Sequence, residues 1–176
     1  MLTSQQLGKN TGLNVSKLCL GTMNFGEPGR GHQGDWTLGT DDARPIFQAA
    51  IEHGVNYFDC ADIYGVGASE IVVGQLLKEL LPRDEYTLTT KVSMPMGRAP
   101  NQGGLSRKHI MEGIDQSLKR LGHDYVDQLI IHRHPHGIPG LAQTPIEETM
   151  EALNDVVKAG KALYLGASSM FAWQFA

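Results

Sequence analysis

Apolar residues along this chain follow two alternating periods. Short apolar or β-branched runs fall at residues 15–20, 55–59, 86–92, 125–131 and 162–166 and read as strands. Between them lie segments with apolar residues three or four apart, the spacing of amphipathic helices. These cover residues 41–52, 69–81, 106–121 and 145–157. Ile46, Ala49 and Ala50 mark the apolar face of the first; Ile71, Val72, Leu76, Leu77 and Leu80 that of the second. Ile110, Ile114, Leu118 and Leu121 mark the third. Thr40 and Ser106 stand where N-caps are needed, and Asp41 and Asp42 suit a positive helix end. Thr144 and Glu147 have capping-box spacing around Pro145. Gly54, Pro82, Gly122 and Gly160 supply the stops. Residues 22–40, the glycine- and proline-rich stretch after Val92, and HRHPHGIPGLAQ after Ile131 read as loops. The final MFAWQFA opens one more helix.

Strict strand–helix alternation predicts a parallel α/β sheet with right-handed crossovers. No composition break divides residues 1–176, so one domain is expected. Two architectures fit. An open doubly wound sheet is complete at this length, and the pattern alone favours it. A (β/α)8 barrel interrupted after its fifth strand is the other.

Composition narrows the function classes. Of 176 residues, 41% are hydrophobic and 19% charged, which predicts a folded chain. The net charge of −4 argues against nucleic acid or acidic membrane as partner. The N-terminus has no apolar core of a secretory signal, and no run approaches the ~20 apolar residues of a membrane helix. A cytoplasmic protein is therefore expected, and two cysteines, Cys19 and Cys60, suit a reducing compartment. Arg98, Arg107, Lys108, Lys119 and Arg120 read as solvated surface.

In parallel α/β units, chemistry gathers where strands end. Asp59 closes the second strand, with Asp62 and Tyr64 just beyond; Lys91 lies near the end of the third; His132 follows the fourth; Ser168 and Ser169 follow the fifth. An ammonium beside a phenol stabilises the phenolate, a carboxylate can hold the ammonium, and an imidazole can orient a carbonyl oxygen. Together they suit proton donation to a carbonyl. Singly, Asp59 also suits a turn cap, Lys91 a structural ion pair, and Tyr64 and His132 ordinary loop or packing positions. No side chain carries hydride, so reduction would need a cofactor. The run His132, His134, His136 is a rival constellation for zinc or nickel, but Pro135 and Gly137 favour an irregular turn, and no metal is expected. Neither a P-loop nor G-x-G-x-x-G after the first strand is present. Phe25, Trp36, Met94, Met96 and Trp173 are placed to line an apolar pocket; Phe171 and Trp173 equally suit a helix core.

Four stretches carry a family resemblance: KLCLGTMNFG around Gly21, GVNYFDCADIYGVGASEIVVG at 54–74, TTKV at 89–92, and GGLSRKHIMEGIDQSLKRLGHDYVDQLIIHR at 103–133. With residues 144–176 they resemble the aldo-keto reductases, in the microbial and fungal alcohol or aryl-aldehyde reductase-like branch, which is similar to potassium-channel β-subunits. The resemblance implies a (β/α)8 barrel rather than an open sheet. It implies that residues 1–176 are the N-terminal portion of one barrel domain, truncated after about five strands, with three C-terminal βα units absent. It implies NADP(H), with Gly21, Thr22, Met23, Asp59, Ser168 and Ser169 on the cofactor side. The catalytic set falls on Asp59, Tyr64, Lys91 and His132, with Tyr64 as general acid toward an aldehyde or ketone. Phe25, Trp36, Met94 and His134 fall on the substrate side, the loop after His132 being longer than the resemblance implies. Five strands cannot close a barrel, so a homo-oligomer or reassembled half-barrels would hide the open edges. The alternative is a catalytically inactive barrel fragment serving as a binding or assembly module.

Overall fold

The computed structural model describes residues 3–136, 138, 141 and 143–176. Gly137, part of the expected histidine-loop turn, lies outside the described residues.

An antiparallel hairpin, β1 (Ser4–Gln6) and β2 (Asn14–Ser16), precedes a five-stranded parallel sheet. Its strands are β3 (Leu20–Gly21), β4 (Tyr57–Asp59), β5 (Thr87–Val92), β6 (Val126–Ile131) and β7 (Ala162–Ala167). Their spatial order is their chain order, β3-β4-β5-β6-β7. A doubly wound sheet needs a point where strand order reverses. None occurs here. Helices α1 (Thr40–Glu52), α2 (Ala68–Leu80), α3 (Arg107–Leu121) and α4 (Ile146–Lys158) each touch the next, as helices on one side of an arc do. The strands form an arc of a barrel, as the family resemblance implies, and not the open sheet that the pattern alone favours.

The core lies between arc and helices. Phe58, Leu88 and Leu129 point from the strands toward Phe47, Leu76, Leu77, Ile110, Ile114 and Leu153. Phe47 stacks on Phe58 at 5.6 Å between centroids. At the crossing of α2 and α3, Gly74 lies against the Leu121 carbonyl, where a Cβ would overlap backbone. The opposite, concave face carries Tyr57, Asp59, Lys91 and Gln128, and the Tyr57 hydroxyl donates to Gln128 Oε1 at 3.1 Å.

Several local expectations are revised. The first strand divides: Asn56 exchanges hydrogen bonds with Ser16 at 2.7 and 3.1 Å, fixing β2, and only Leu20 and Gly21 enter the parallel sheet. Ala43 and Phe47 are the residues α1 buries, while Ile46 and Ala49 face solvent, because one bulky aromatic outweighs a stripe of small residues. Ile71 is likewise exposed. Thr144 caps nothing: Pro145 is the N-cap residue of α4, and no side chain bonds to it. Ser106, by contrast, accepts from the His109 N–H at 3.3 Å, and Gly122 ends α3 at φ 66°. Phe171 and Trp173, on and before the short α5 (Ala172–Phe175), are 68% exposed rather than core. Among the described residues, no helix is long and apolar enough to cross a membrane.

Candidate active site

Parallel register places Gly21 opposite Asp59, Asp59 opposite Thr89, and Lys91 opposite Ile130, so β3 to β6 end along one rim. Lys91 is only 5% exposed. Its Nζ donates to Asp59 Oδ2 at 2.7 Å, to the Cys60 carbonyl at 2.7 Å and to Tyr64 Oη at 3.3 Å. All three ammonium protons are thus directed. Burial works against the charge, but the Asp59 carboxylate, helped by Tyr64, outweighs it and holds the Lys91 pKa above its ordinary value. The lysine stays an ammonium, 4.9 Å from the Tyr64 ring centroid.

Tyr64 is presented by a tight turn. Its N–H donates to the Ala61 carbonyl at 3.2 Å, and its carbonyl accepts from Ser69 N–H at the start of α2. Gly65 and Gly67 take positive φ there, and Val66 shares it at 49°. His132 follows β6, its N–H bonded to the Val92 carbonyl at 2.9 Å. Its ring stands edge-on to Tyr64, centroids 5.7 Å apart, and its buried Nδ1 has no partner. Burial first, then the Lys91 and Arg133 charges, push the His132 pKa down to about 4. A neutral imidazole is therefore present at the rim throughout the physiological range.

That depression has a consequence for stability. Below pH 6.5 the unfolded chain takes up a proton at His132 that the folded chain refuses until about pH 4. The favourable contribution is complete above the unfolded value and is lost as pH falls toward the folded one. His132→Gln is expected to flatten the acid-side loss of stability, read as urea midpoints at neutral pH and near pH 4. An unchanged acid slope would remove His132 as its source.

The remaining predicted site residues divide. Gly21 is open, with nothing within 4 Å of where a Cβ would stand, and Met23 beside it is exposed. Thr22 is fully buried, its hydroxyl donating to the Asp59 carbonyl at 3.0 Å and its carbonyl accepting from Ser69 Oγ at 2.8 Å, so it presents no surface to a cofactor, which corrects its place on the cofactor side. Ser168 and Ser169 follow β7, with their hydroxyls 3.0 Å apart at the exposed end of the strand. Phe25 is 3% exposed and packs on Phe47 in the core, which corrects its place in the substrate pocket. Trp36 is half exposed on its loop, and Met94 is partly buried in the loop after β5; neither shares a hydrogen bond or ring pair with Asp59, Tyr64, Lys91 or His132. His134 is turned toward α5, its Nδ1 3.3 Å from Gln174 Nε2, and lines an apolar cavity of about 390 Å³ with Leu165, Met170 and Phe175. Among the described residues, no three metal-ligating side chains converge, so His132, His134 and His136 do not form the rival metal cluster.

Two features were hidden in the sequence. The Cys60 carbonyl holds Lys91, a role no side chain signals. Arg120, read as surface, crosses from α3 to Glu70 of α2 at 2.6 Å and is mostly buried. Cys19, exposed, and Cys60, buried, are both free, and burial pushes the Cys60 thiol up to about 12.

Comparison with known proteins bears on the family and the fold. The sequence profile of the Aldo/keto reductase family matches residues 17–176. Versiconal hemiacetal acetate reductase of Aspergillus parasiticus is 41% identical over 184 aligned positions, covering 94% of this chain and 51% of that protein. A probable voltage-gated potassium channel subunit beta of Arabidopsis thaliana is 42% identical, covering 97% and 47%. The holo form of an aldo-keto reductase from Bacillus halodurans superposes with a TM-score of 0.74 at 31% identity, over 97% of this chain and 51% of that one. The chain spans about half the length of the curated relatives it matches. Its consecutive parallel strands match the corresponding part of a (β/α)8 barrel of this type.

Proposed function

We propose a carbonyl-reducing function on the premise that this chain belongs to the aldo/keto reductase family, whose profile it matches from residue 17 to 176. One observation carries the reading: a buried ammonium, Lys91, bridges a carboxylate and a phenol, with a neutral imidazole edge-on to that phenol. The rim residues fit a nicotinamide cofactor of the NADP(H) type. Gly21 leaves its backbone uncovered, Met23 is exposed beside it, and the hydroxyls of Ser168 and Ser169 lie at the exposed end of β7. These residues, with Asp59, would hold it; when bound, it supplies the hydride that side chains lack.

The chain's own residues do the rest. His132, through Nε2, the ring nitrogen that is not buried, orients the oxygen of an aldehyde or ketone beside Tyr64. As negative charge develops on that oxygen, the Tyr64 O–H gives up its proton and the product leaves as an alcohol. Lys91 holds the resulting phenolate through the 3.3 Å bond, and Asp59 keeps Lys91 charged and in place. Solvent then returns a proton to Tyr64.

The test is consumption of NADPH with a nitrobenzaldehyde, using protein confirmed by intact mass as the 176-residue chain. Turnover supports the reading; its absence from folded protein counts against it. A second reading, an assembly module, is favoured by the exposed Leu163, Leu165, Phe171, Trp173 and Phe175 along β7 and α5. Folded, inactive chains that associate through this edge would favour that reading.

A further inference from the structure

Behind the Tyr64 turn lies a second polar space that the proposed chemistry does not use. Asp62, two residues before Tyr64, is 1% exposed, and neither carboxyl oxygen has a well-aligned hydrogen-bond partner, the adjacent Ile63 N–H acting on the carboxyl only through an imperfect geometry. It borders a cavity of about 100 Å³ that is also lined by His109, Gln116 and Arg120 of α3 and by Asn101 and Gln102 of the preceding loop. His109 is 4% exposed, and its Nε2 is likewise buried without a partner. A buried carboxyl and a buried imidazole nitrogen left bare on one cavity are costly unless something satisfies both. The space is polar and large enough to admit water, which needs ~10–15 Å³ of such volume.

The backbone ties this space to the catalytic groups. The Asp62 N–H lies 3.4 Å from the Lys91 carbonyl, and the Ala61 carbonyl accepts from Tyr64 N–H. Whatever fixes the Asp62 side chain therefore fixes the turn that aims the Tyr64 hydroxyl.

We propose that Asp62 is a positioning residue for Tyr64: its carboxyl anchors a water cluster shared with His109, locking the β4–α2 turn to helix α3. The inference rests on Tyr64 being the general acid. The groups around Asp62 favour a neutral carboxyl in that role. Burial, then the Glu70 charge on α2, push its pKa well above the carboxylate range; the Ile63 N–H, Arg120 on α3 and Lys91 on β5 offset this only in part. Glu112, exposed on α3, also borders the cavity, and burial keeps His109 neutral by lowering its pKa. A neutral carboxyl both donates and accepts toward water, and an asparagine amide can replace it in both respects.

The test compares Asp62→Asn with Asp62→Leu. The first readout needs neither cofactor nor turnover: the NMR cross-peaks between the Tyr64 and His132 rings. They are expected to persist in Asp62→Asn and to be lost in Asp62→Leu. In carbonyl reduction, kcat should stay within about threefold for Asp62→Asn and fall about 10- to 100-fold for Asp62→Leu, with the cofactor KM little changed. Should Asp62→Leu not fold, His109→Leu takes its place, with weakened cross-peaks expected. Cross-peaks and kcat of wild-type strength in the leucine variants would overturn the proposal. So would an Asp62→Asn variant as impaired as Asp62→Leu, since the charge and not the hydrogen bonding would then matter. Wild-type chain that shows the cross-peaks but no turnover would sink the carbonyl-reducing reading, while the variants' cross-peaks would still decide the role of Asp62.

Discussion

Tyr64→Phe is expected to lower nicotinamide-dependent aldehyde reduction by about 10²- to 10⁴-fold, the usual range for loss of a positioned proton donor. The variant deletes one oxygen and leaves the ring against His132. Lys91 keeps its bonds to Asp59 and to the Cys60 carbonyl at 2.7 Å, so the charge stays paired and the turn stays closed. Cofactor binding and the urea midpoint should therefore change little, and the loss should fall on kcat. Retained turnover would remove Tyr64 from the acid role. Asp59→Asn provides a graded comparison, because it weakens the pairing of Lys91 without removing the phenol.

Arg120→Met should produce the largest loss of stability. Glu70 is completely buried on α2, its carboxylate held by Arg120 Nε at 2.6 Å and by the Thr90 hydroxyl at 2.6 Å. Removing the guanidinium leaves a buried anion with one neutral donor. Breaking a buried pair in this way costs about 3–5 kcal/mol. The side chain also crosses Gly67, where a Cβ would collide with it, so the pair pins the start of α2 and the end of the Tyr64 turn. Urea denaturation should show a much lower midpoint, and Glu70→Gln added to Arg120→Met should recover part of it by removing the stranded charge. A loss below ~1 kcal/mol, the range of a surface pair, would mean that Arg120 is solvated after all.

The proposed catalytic group is legible in the sequence because its members stand at strand ends or, for Tyr64, in the turn just beyond one. Position at a strand end is legible from periodicity, and a carboxylate, a phenol, an ammonium and an imidazole arriving together are chemically distinctive. Helices were legible for the same reason where an apolar stripe and a cap coincide, as in α3 between Ser106 and Gly122. The failures have a shared cause. The hairpin strand Ser4–Gln6 is exposed throughout and has no apolar alternation to announce it. Phe25 and Trp36 lie on one irregular loop, where no period says which aromatic turns inward; Phe25 does, onto Phe47. Arg120 sits among exposed cations of α3, and only the arrival of Glu70 from another helix separates it from them.

By itself, then, the sequence determined the alternation of strands and helices, the rim on which Asp59, Tyr64, Lys91 and His132 meet, and the likeness to the family. These depend on local period and on residue identity, both written along the chain. Periodicity left the strand order open; tertiary structure shows the strands in chain order as an arc, as the family likeness implied, and not in a reversed, doubly wound order. It also decided that Lys91 is held by a backbone carbonyl as well as by Asp59, and that Asp62 and His109 border one polar cavity. Each of these depends on which distant segment comes to lie alongside, and the energies that choose it are those of packing and of burying charge.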